Sequence, residues 1–313
     1  MDGCPMTDTS SAKKGKVELG ELSCAECHTR VMPDGMAIKG AQGKFPFDKQ
    51  FAIDIRGTTS VQDVREGQRG LFGAPWMRQP ILARLDEMTQ EEIAAQHEVI
   101  PPGVLARHGT GGFSPVQIPD LIGAQHRRYL DRTGLQRNRG IADLMRYAAL
   151  NQGGDFVSAF GGFVPAGTND FHGLPDPSNM ERYSDEQLYA LALYVYWLKP
   201  PKNPNLPKTA AQKALVQRGE AIFMDSDNGC YKCHDPKQGY TNNKLTPARG
   251  FNVPDHHPEG TNIMSKSVGT DPTLTLTTRR GTGFYKVPSL LGVWYRGPFE
   301  HNGSCATLED CAR

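Results

Sequence analysis

The sequence predicts a mainly α protein, and three observations carry that prediction. Apolar residues recur at helical spacing behind capping-box signatures. Alternating strand-like series are limited to short candidates such as Thr273 to Thr277. Gly (34) and Pro (23) are numerous enough among 313 residues to separate the helices by long irregular stretches.

The elements follow in order. Thr89-Gln90-Glu91-Glu92 reads as a helix start. Ile141 to Leu150 predicts a second helix, with Gly153-Gly154 as its stop. Ser184-Asp185-Glu186-Gln187 is a capping box, after which Leu188, Leu191, Ala192, Val195 and Leu198 recur at helical spacing. Tyr189, Tyr194, Tyr196 and Trp197 lie among them, and Tyr189, Tyr194 and Trp197 read as core packing. Pro200 ends that helix. Thr209-Ala210-Ala211-Gln212 caps a helix that runs through Leu215, Val216, Gly219 and Phe223 to just before Cys230.

Composition excludes several function classes. Lys plus Arg (35) balances Asp plus Glu (34), so the basic excess of a nucleic-acid footprint is missing and no nucleic-acid partner is expected. Mean hydropathy is −0.51 and no apolar run reaches 18 residues, which argues against a membrane-spanning segment. The length predicts two domains. Pro200 to Pro207 is a proline-rich, semi-rigid spacer. It divides the chain into 1–200, a linker 201–208, and 209–313.

The seven cysteines carry the chemistry. Cys24-Ala25-Glu26-Cys27-His28 and Cys230-Tyr231-Lys232-Cys233-His234 both read C-x-x-C-H, the attachment pattern of a c-type haem. Two thiols three positions apart add to the two vinyl groups of one porphyrin. The adjacent histidine then supplies an axial ligand to the iron. With seven Cys and nine His, the pattern is expected by chance about 0.004 times. A zinc ribbon would bring its two Cys pairs far closer in sequence, and a disulfide has no use for His28 or His234. A thioredoxin-like motif would sit beside a βαβ pattern, which is absent from the sequence. The expectation is two covalent haems held by Cys24, Cys27, Cys230 and Cys233, with His28 and His234 as iron ligands. Such attachment happens outside the cytoplasm, so a periplasmic or extracellular location follows. The polar start Met1-Asp2-Gly3-Cys4-Pro5 does not contain the export signal this requires.

The order of helix, C-x-x-C-H, loops and aromatic-rich closing helix resembles the class I cytochrome c fold. The resemblance implies two cytochrome c-like haem domains with long irregular loops, the first with a large insert. Lys14 to Cys24 would form the first helix of domain 1, Gly20 its close-crossing residue, and Ser184 to Leu198 its last helix. Residues Gly281 to Asp310 contain K-x-P-S-L (Lys286 to Leu290), then Pro298-Phe299-Glu300-His301-Asn302-Gly303-Ser304, then Thr307-Leu308-Glu309. This run resembles the second haem domain of the di-haem cytochrome c peroxidase superfamily, and Tyr295 to Asn302 is also similar to its rubber oxygenase branch. In that family the second domain continues into a distal-ligand segment and a closing helix, which the stop at Arg313 implies are missing, altered or supplied by a partner.

Further ligands to the two irons are candidates only. For the second haem they are His301 and Met264, with His256 and His257 behind them. In the peroxidases the histidine matching His301 lies near the haem without ligating it. For the first haem they are Met180, Met77, His108 and His172. Asn151, Gln152 and Asp155 are candidates for a distal acid–base group, although a polar helix exit explains them as well. Cys305 and Cys311 are close enough for a disulfide, and Cys4 is left over. Trp294 is read as core packing or as part of an inter-haem electron path. Two functions follow as expectations. One is a periplasmic electron-transfer cytochrome with a redox partner protein. The other is a peroxidase- or oxygenase-type haem enzyme in which haem 1 reacts and haem 2 relays electrons.

Overall fold

The computed structural model describes residues 24–72, 80–106, 112–151, 184–278 and 281–312. The expected helix before Cys24, Gly20, Cys4, Met77, His108, Gln152, Asp155, His172 and Met180 lie outside them. The structure is mixed, about 41% helical with small sheets and no barrel, consistent with the mainly helical class expected.

The chain opens with a single helical turn, α1 (Cys24–Cys27), and a short hairpin of β1 (Thr29–Val31) and β2 (Ala37–Lys39). Four helices follow: α2 (Phe47–Gly57), α3 (Val61–Phe72), α4 (Pro80–Glu87) and α5 (Gln90–Glu98). The sequence signalled only the last of these, where Thr89 Oγ accepts from the Glu92 amide at 3.2 Å and completes a capping box. Ala52, Ile55, Val64, Leu85, Met88, Ile93 and Ala94 form their shared core. Inside it a buried His97 donates from Nδ1 to Asp48 Oδ1 at 2.8 Å and accepts at Nε2 from Gln68 at 3.0 Å. That polar chain is internally satisfied and locks α2, α3 and α5 together.

After the two-residue pair β3 (Val104–Leu105) and β4 (Val116–Gln117) come α6 (Ile141–Asn151) and α7 (Asp185–Trp197). Ser184 caps α7 through a complete capping box with Gln187, as the sequence predicts. Leu188, Ala192, Val195 and Leu198 are buried. The aromatic set splits, however. Tyr194 and Tyr196 pack against the core, whereas Tyr189 and Trp197 face solvent. At 100° per residue, positions 193 and 197 fall on the side away from 188, 192 and 195, with 189 at the edge between the two.

The second half begins with α8 (Ala210–Met224), capped by Thr209, and a second single turn, α9 (Cys230–Cys233). α8 ends at Met224, and the Asp225–Asn228 loop separates it from Cys230. β5 (Leu245–Pro247) then pairs with β6 (Phe284–Lys286). The strand expected at Thr273–Thr277 is instead a short helix, α10. Asp271 receives the Thr273 amide at 2.9 Å. The hydroxyls of Thr277 and Thr278 bond back to the carbonyls four residues earlier. Threonine hydroxyls that reach their own preceding turn satisfy a helix where β-propensity alone suggests a strand. The last described element is α11 (Leu308–Cys311).

Contacts run across the proline-rich segment. The Lys286 amide donates to the Arg132 carbonyl at 2.9 Å, and the Gln117 amide donates to the His301 carbonyl at 2.8 Å. Tyr295 is buried among Ile38, Ala41, Leu130, Leu144 and Val195. Tyr129 in turn packs with Leu245 and Phe284.

Asp143, in the first turn of α6, gives a stability prediction. Its carboxylate accepts from the Arg139 amide, Nε and Nη2, each at 2.8 Å, and from Arg146 Nη2 at 3.1 Å. The Arg139 side chain and its neighbours bring the Asp143 pKa down from 3.8 to about 2. A depressed carboxylate pKa stabilises the fold above the unfolded value, and that stabilisation is lost as pH falls. Because Arg139 is largely exposed, the full shift is discounted to about 1–2 kcal/mol. Asp143→Asn is therefore expected to unfold that much more easily at pH 7. In urea titrations the gap from the parent should close between pH 4 and pH 2.

Candidate cofactor-attachment sites

The two C-x-x-C-H segments adopt one local geometry. Each is a single helical turn, and the histidine amide closes it on the carbonyl of the first cysteine, at 3.0 Å for His28 and 2.9 Å for His234. Residues three apart lie on one helical face, so each turn carries both of its thiols toward the same side.

Each histidine ring is also held in the same way. His28 Nδ1 lies 3.0 Å from the Pro119 carbonyl, and His234 Nδ1 lies 3.1 Å from the Tyr240 carbonyl. A carbonyl only accepts, so each Nδ1 carries the proton of that bond and leaves Nε2 as the ring nitrogen free to face a ligand. Burial brings the His28 pKa down to about 4, outweighing its backbone hydrogen bond and keeping the ring neutral. Neither Nε2 has a hydrogen-bond partner among the described residues. A metal-binding histidine needs this arrangement: one nitrogen fixed by a backbone acceptor and the other presenting its lone pair.

The surroundings fix both turns in place. Gly43 donates to the Cys27 carbonyl at 2.9 Å, and Gly40 donates to the His28 carbonyl at 2.7 Å. Gly40 has φ +81°, and its missing side chain is replaced in space by Leu198, which ties α7 to the first motif. The Gly40 carbonyl in turn accepts from Leu121, two residues past Pro119. At the second motif Gly229 has φ +66° and begins the turn. Asn242 Nδ2 bridges the Lys232 carbonyl at 3.0 Å and Met264 Sδ at 3.2 Å. Ser289 Oγ donates to the Gly239 carbonyl at 2.6 Å, and the Leu290 amide donates to Tyr240 at 3.2 Å. Tyr295 OH reaches Asp120, next to Pro119, at 3.0 Å. Segment 289–295 therefore links the carbonyl that holds His234 to the loop that holds His28.

These residues fit a c-type haem in donor chemistry: two thiols per turn and one imidazole aimed by its Nδ1 bond. α8 adds to the fit. It carries Leu215, Val216 and Ile222 but buries none of its residues, and all three are exposed. A helix of that composition draws its stability from covering an apolar surface.

The other candidates are placed as follows. His301 is buried, with Nδ1 3.0 Å from Thr270 Oγ, Nε2 3.3 Å from Tyr285 OH, and its ring stacked at a tilt on Tyr285. Burial brings its pKa down to about 4. Met264 is half-buried beside Asn242. His256 is exposed, while His257 packs edge-on against Phe284 and accepts from the Glu259 amide. Asn151 ends α6. Trp294 packs edge-on against Tyr295 at the margin of the first core. Cys305 and Cys311 are free thiols within ligand distance of each other and of Glu300. Burial and the neighbouring Cys305 raise the Cys311 pKa to about 12.

Sequence reasoning missed the basic residues Arg127, Arg132, Lys286 and Arg296, which gather near Pro119. Arg127 and Arg132 lie in the arginine-rich stretch 127–139, and Lys286 and Arg296 lie ten residues apart; what the sequence does not show is that folding brings these two segments together. No family model matches the chain, and neither a curated protein nor a solved structure matches it.

Proposed function

We propose that this chain is a di-haem c-type cytochrome. In this reading it transfers electrons with a redox partner protein outside the cytoplasm. Cys24, Cys27, Cys230 and Cys233 form the thioether links, and Nε2 of His28 and His234 are the iron ligands. The observation that carries the reading is the shared geometry of the motifs: two identical C-x-x-C-H turns, each with its histidine Nδ1 pinned to a backbone carbonyl. The resemblance of Gly281 to Asp310 to the di-haem peroxidase superfamily supports it further. A bound haem iron supplies reversible one-electron oxidation and reduction.

The protein's own part is positioning. The Nδ1–H bonds fix each imidazole plane and raise the basicity of Nε2. The motif turns hold both sulfurs on one face, and Gly40 and Gly43 clamp the first turn from behind. The 289–295 segment keeps the two histidine loops in fixed relation.

Mass spectrometry of the intact, exported protein tests the reading. Two covalent haem additions are expected. Cys24→Ala/Cys27→Ala and Cys230→Ala/Cys233→Ala should each lose one. A parent protein without added porphyrin would refute the proposal. The oxidised visible spectrum then separates the two functions. Low-spin bands unmoved by cyanide are expected for the electron carrier, whereas a high-spin band that shifts with cyanide marks the peroxidase- or oxygenase-type enzyme.

A further inference from the structure

Four cationic side chains converge on one small cavity. Arg127, Arg132, Lys286 and Arg296 line it together with Pro119 and Asp120. Their hydrogen bonds go mainly to neutral oxygens. Lys286 Nζ donates to the Tyr129 and Leu130 carbonyls at 3.0 and 2.9 Å. Arg127 donates to the Asp120 and Ile122 carbonyls, Arg296 Nη2 to the Ser289 carbonyl at 2.7 Å, and Arg132 Nη2 to the Gln117 side-chain oxygen. Carbonyls satisfy donors but do not cancel charge.

The carboxylates nearby do not balance the set. Asp120 Oδ2 already accepts from Tyr295 and lies 4.0 Å from Arg296 Nε, too far for a hydrogen bond. Asp131, beside Lys286, is taken up by the amides of Thr133, Leu135 and Gln136. Four cations thus face two carboxylates whose oxygens are already engaged. The Nε atoms of Arg132 and Arg296 are sealed from solvent with no hydrogen-bond partner. An unpartnered buried donor on a charged group is costly, and a buried excess of positive charge more so. Burial lowers the pKa of all four groups, that of Arg132 to about 10, consistent with a site short of negative charge.

The size and place of the cavity narrow the anion. Its volume is about 30 Å³, room for a carboxylate group rather than a whole small molecule. Pro119 on its wall is the residue whose carbonyl holds His28. Ser289 on the same wall bonds Gly239, next to the Tyr240 carbonyl that holds His234. A carboxylate borne on a short arm by a group attached at either motif is the anion this position would meet.

We infer that Arg127, Arg132, Lys286 and Arg296 form a carboxylate site and that its occupant is a haem propionate. The inference rests on the di-haem reading above and deepens it. Arg132 and Arg296 would turn their unpartnered Nε–H groups to the carboxylate, while Lys286 and Arg127 would supply charge.

The test uses the intact, haem-loaded protein. Arg132→Met removes one cation and one unpartnered donor. Arg296→Lys keeps the charge but removes the guanidinium fork. Arg56→Gln, in the surface pair with Glu91 and Glu98, serves as the control. Resonance Raman reports the propionate bending band, and redox titration reports the midpoints. In Arg132→Met the band should move, and the reduction equilibrium of one haem should weaken about tenfold, equivalent to about 59 mV for one electron. Arg296→Lys should move the band with a smaller shift in midpoint, and it carries the test if Arg132→Met does not mature. Arg56→Gln should do neither. Bands and midpoints unchanged in both site variants, with both haems attached, would overturn the inference. Added acetate should leave the thermal midpoint of the parent unchanged. A rise with acetate concentration that Arg132→Met abolishes would assign the site to a free carboxylate and overturn the propionate occupant. A parent protein without covalent haem would instead refute the di-haem reading, an outcome distinguished by mass alone.

Discussion

In the proposed di-haem reading, Gly43→Ala is expected to deplete haem at the first motif while leaving the second motif loaded. A β-carbon on Gly43 would lie 2.6 Å from the Cys27 carbonyl oxygen and 3.0 Å from that of Thr29. Both neighbours are backbone, so neither can yield as a flexible side chain does. The Gly43 amide also bonds that same Cys27 carbonyl, so relieving the clash opens a contact that holds the motif. Overpacking of this kind typically costs about 1–3 kcal/mol, and here the displaced atoms belong to the attachment turn. Gly57→Ala is the matched control. It ends α2 with no atom within 4 Å of its would-be β-carbon, so stability should hold or rise by about 0.5–1 kcal/mol. Mass spectrometry of the two variants, with peptide mapping of the remaining haem, checks the result. Full loading of Cys24 and Cys27 in Gly43→Ala would contradict it.

Glu259→Ala is expected to lower unfolding free energy by about 2–3 kcal/mol. The Glu259 carboxylate is buried and accepts from Tyr129 OH at 2.6 Å and from Arg137 Nε, with Arg128 at 3.8 Å. It therefore ties residues 128–137 to the second half of the chain. Breaking a buried charged network typically costs about 3–5 kcal/mol. The cost is smaller here because Arg128 and Arg137 are partly exposed and can rehydrate. The Tyr129 hydroxyl, on a fully buried ring, cannot. Glu259→Gln retains an acceptor and should lose about half as much. Burial alone would raise the Glu259 pKa, but Tyr129 and the two arginines outweigh it and hold the group below its usual range. The difference from the parent should therefore narrow as acid protonates the carboxylate. Urea denaturation at pH 7 and pH 4 measures both effects.

The helices most legible in the sequence were those with local signals. Thr89, Ser184 and Thr209 each form the capping box that their spacing predicts. Pro200 follows the end of α7 as expected. α2 has no side-chain cap and α3 is capped by Ser60, whose Oγ accepts from the Asp63 amide at 3.3 Å; the apolar faces of α2, α3 and α4 acquire meaning only in the core they share with α5. The Thr273–Thr277 segment was misread because β-propensity describes a half-buried strand surface. Thr277 and the adjoining Thr278 instead donate to the carbonyls of Thr273 and Leu274 in their own helical turn.

The candidate site divides along the same line. The C-x-x-C-H spacing is local chemistry, so six residues that would hold two haems could be read from the chain alone. The partners of those residues could not. Pro119 lies 91 positions from His28, and the four cations of the proposed carboxylate site come from two segments, 127–132 and 286–296. By itself the sequence determined the spacing of the groups that would bond a porphyrin in the proposed reading, because a turn of four residues sets it. Only the tertiary structure decided which nitrogen of each histidine carries the proton and where unbalanced positive charge collects. Both depend on groups brought together by folding across long stretches of chain.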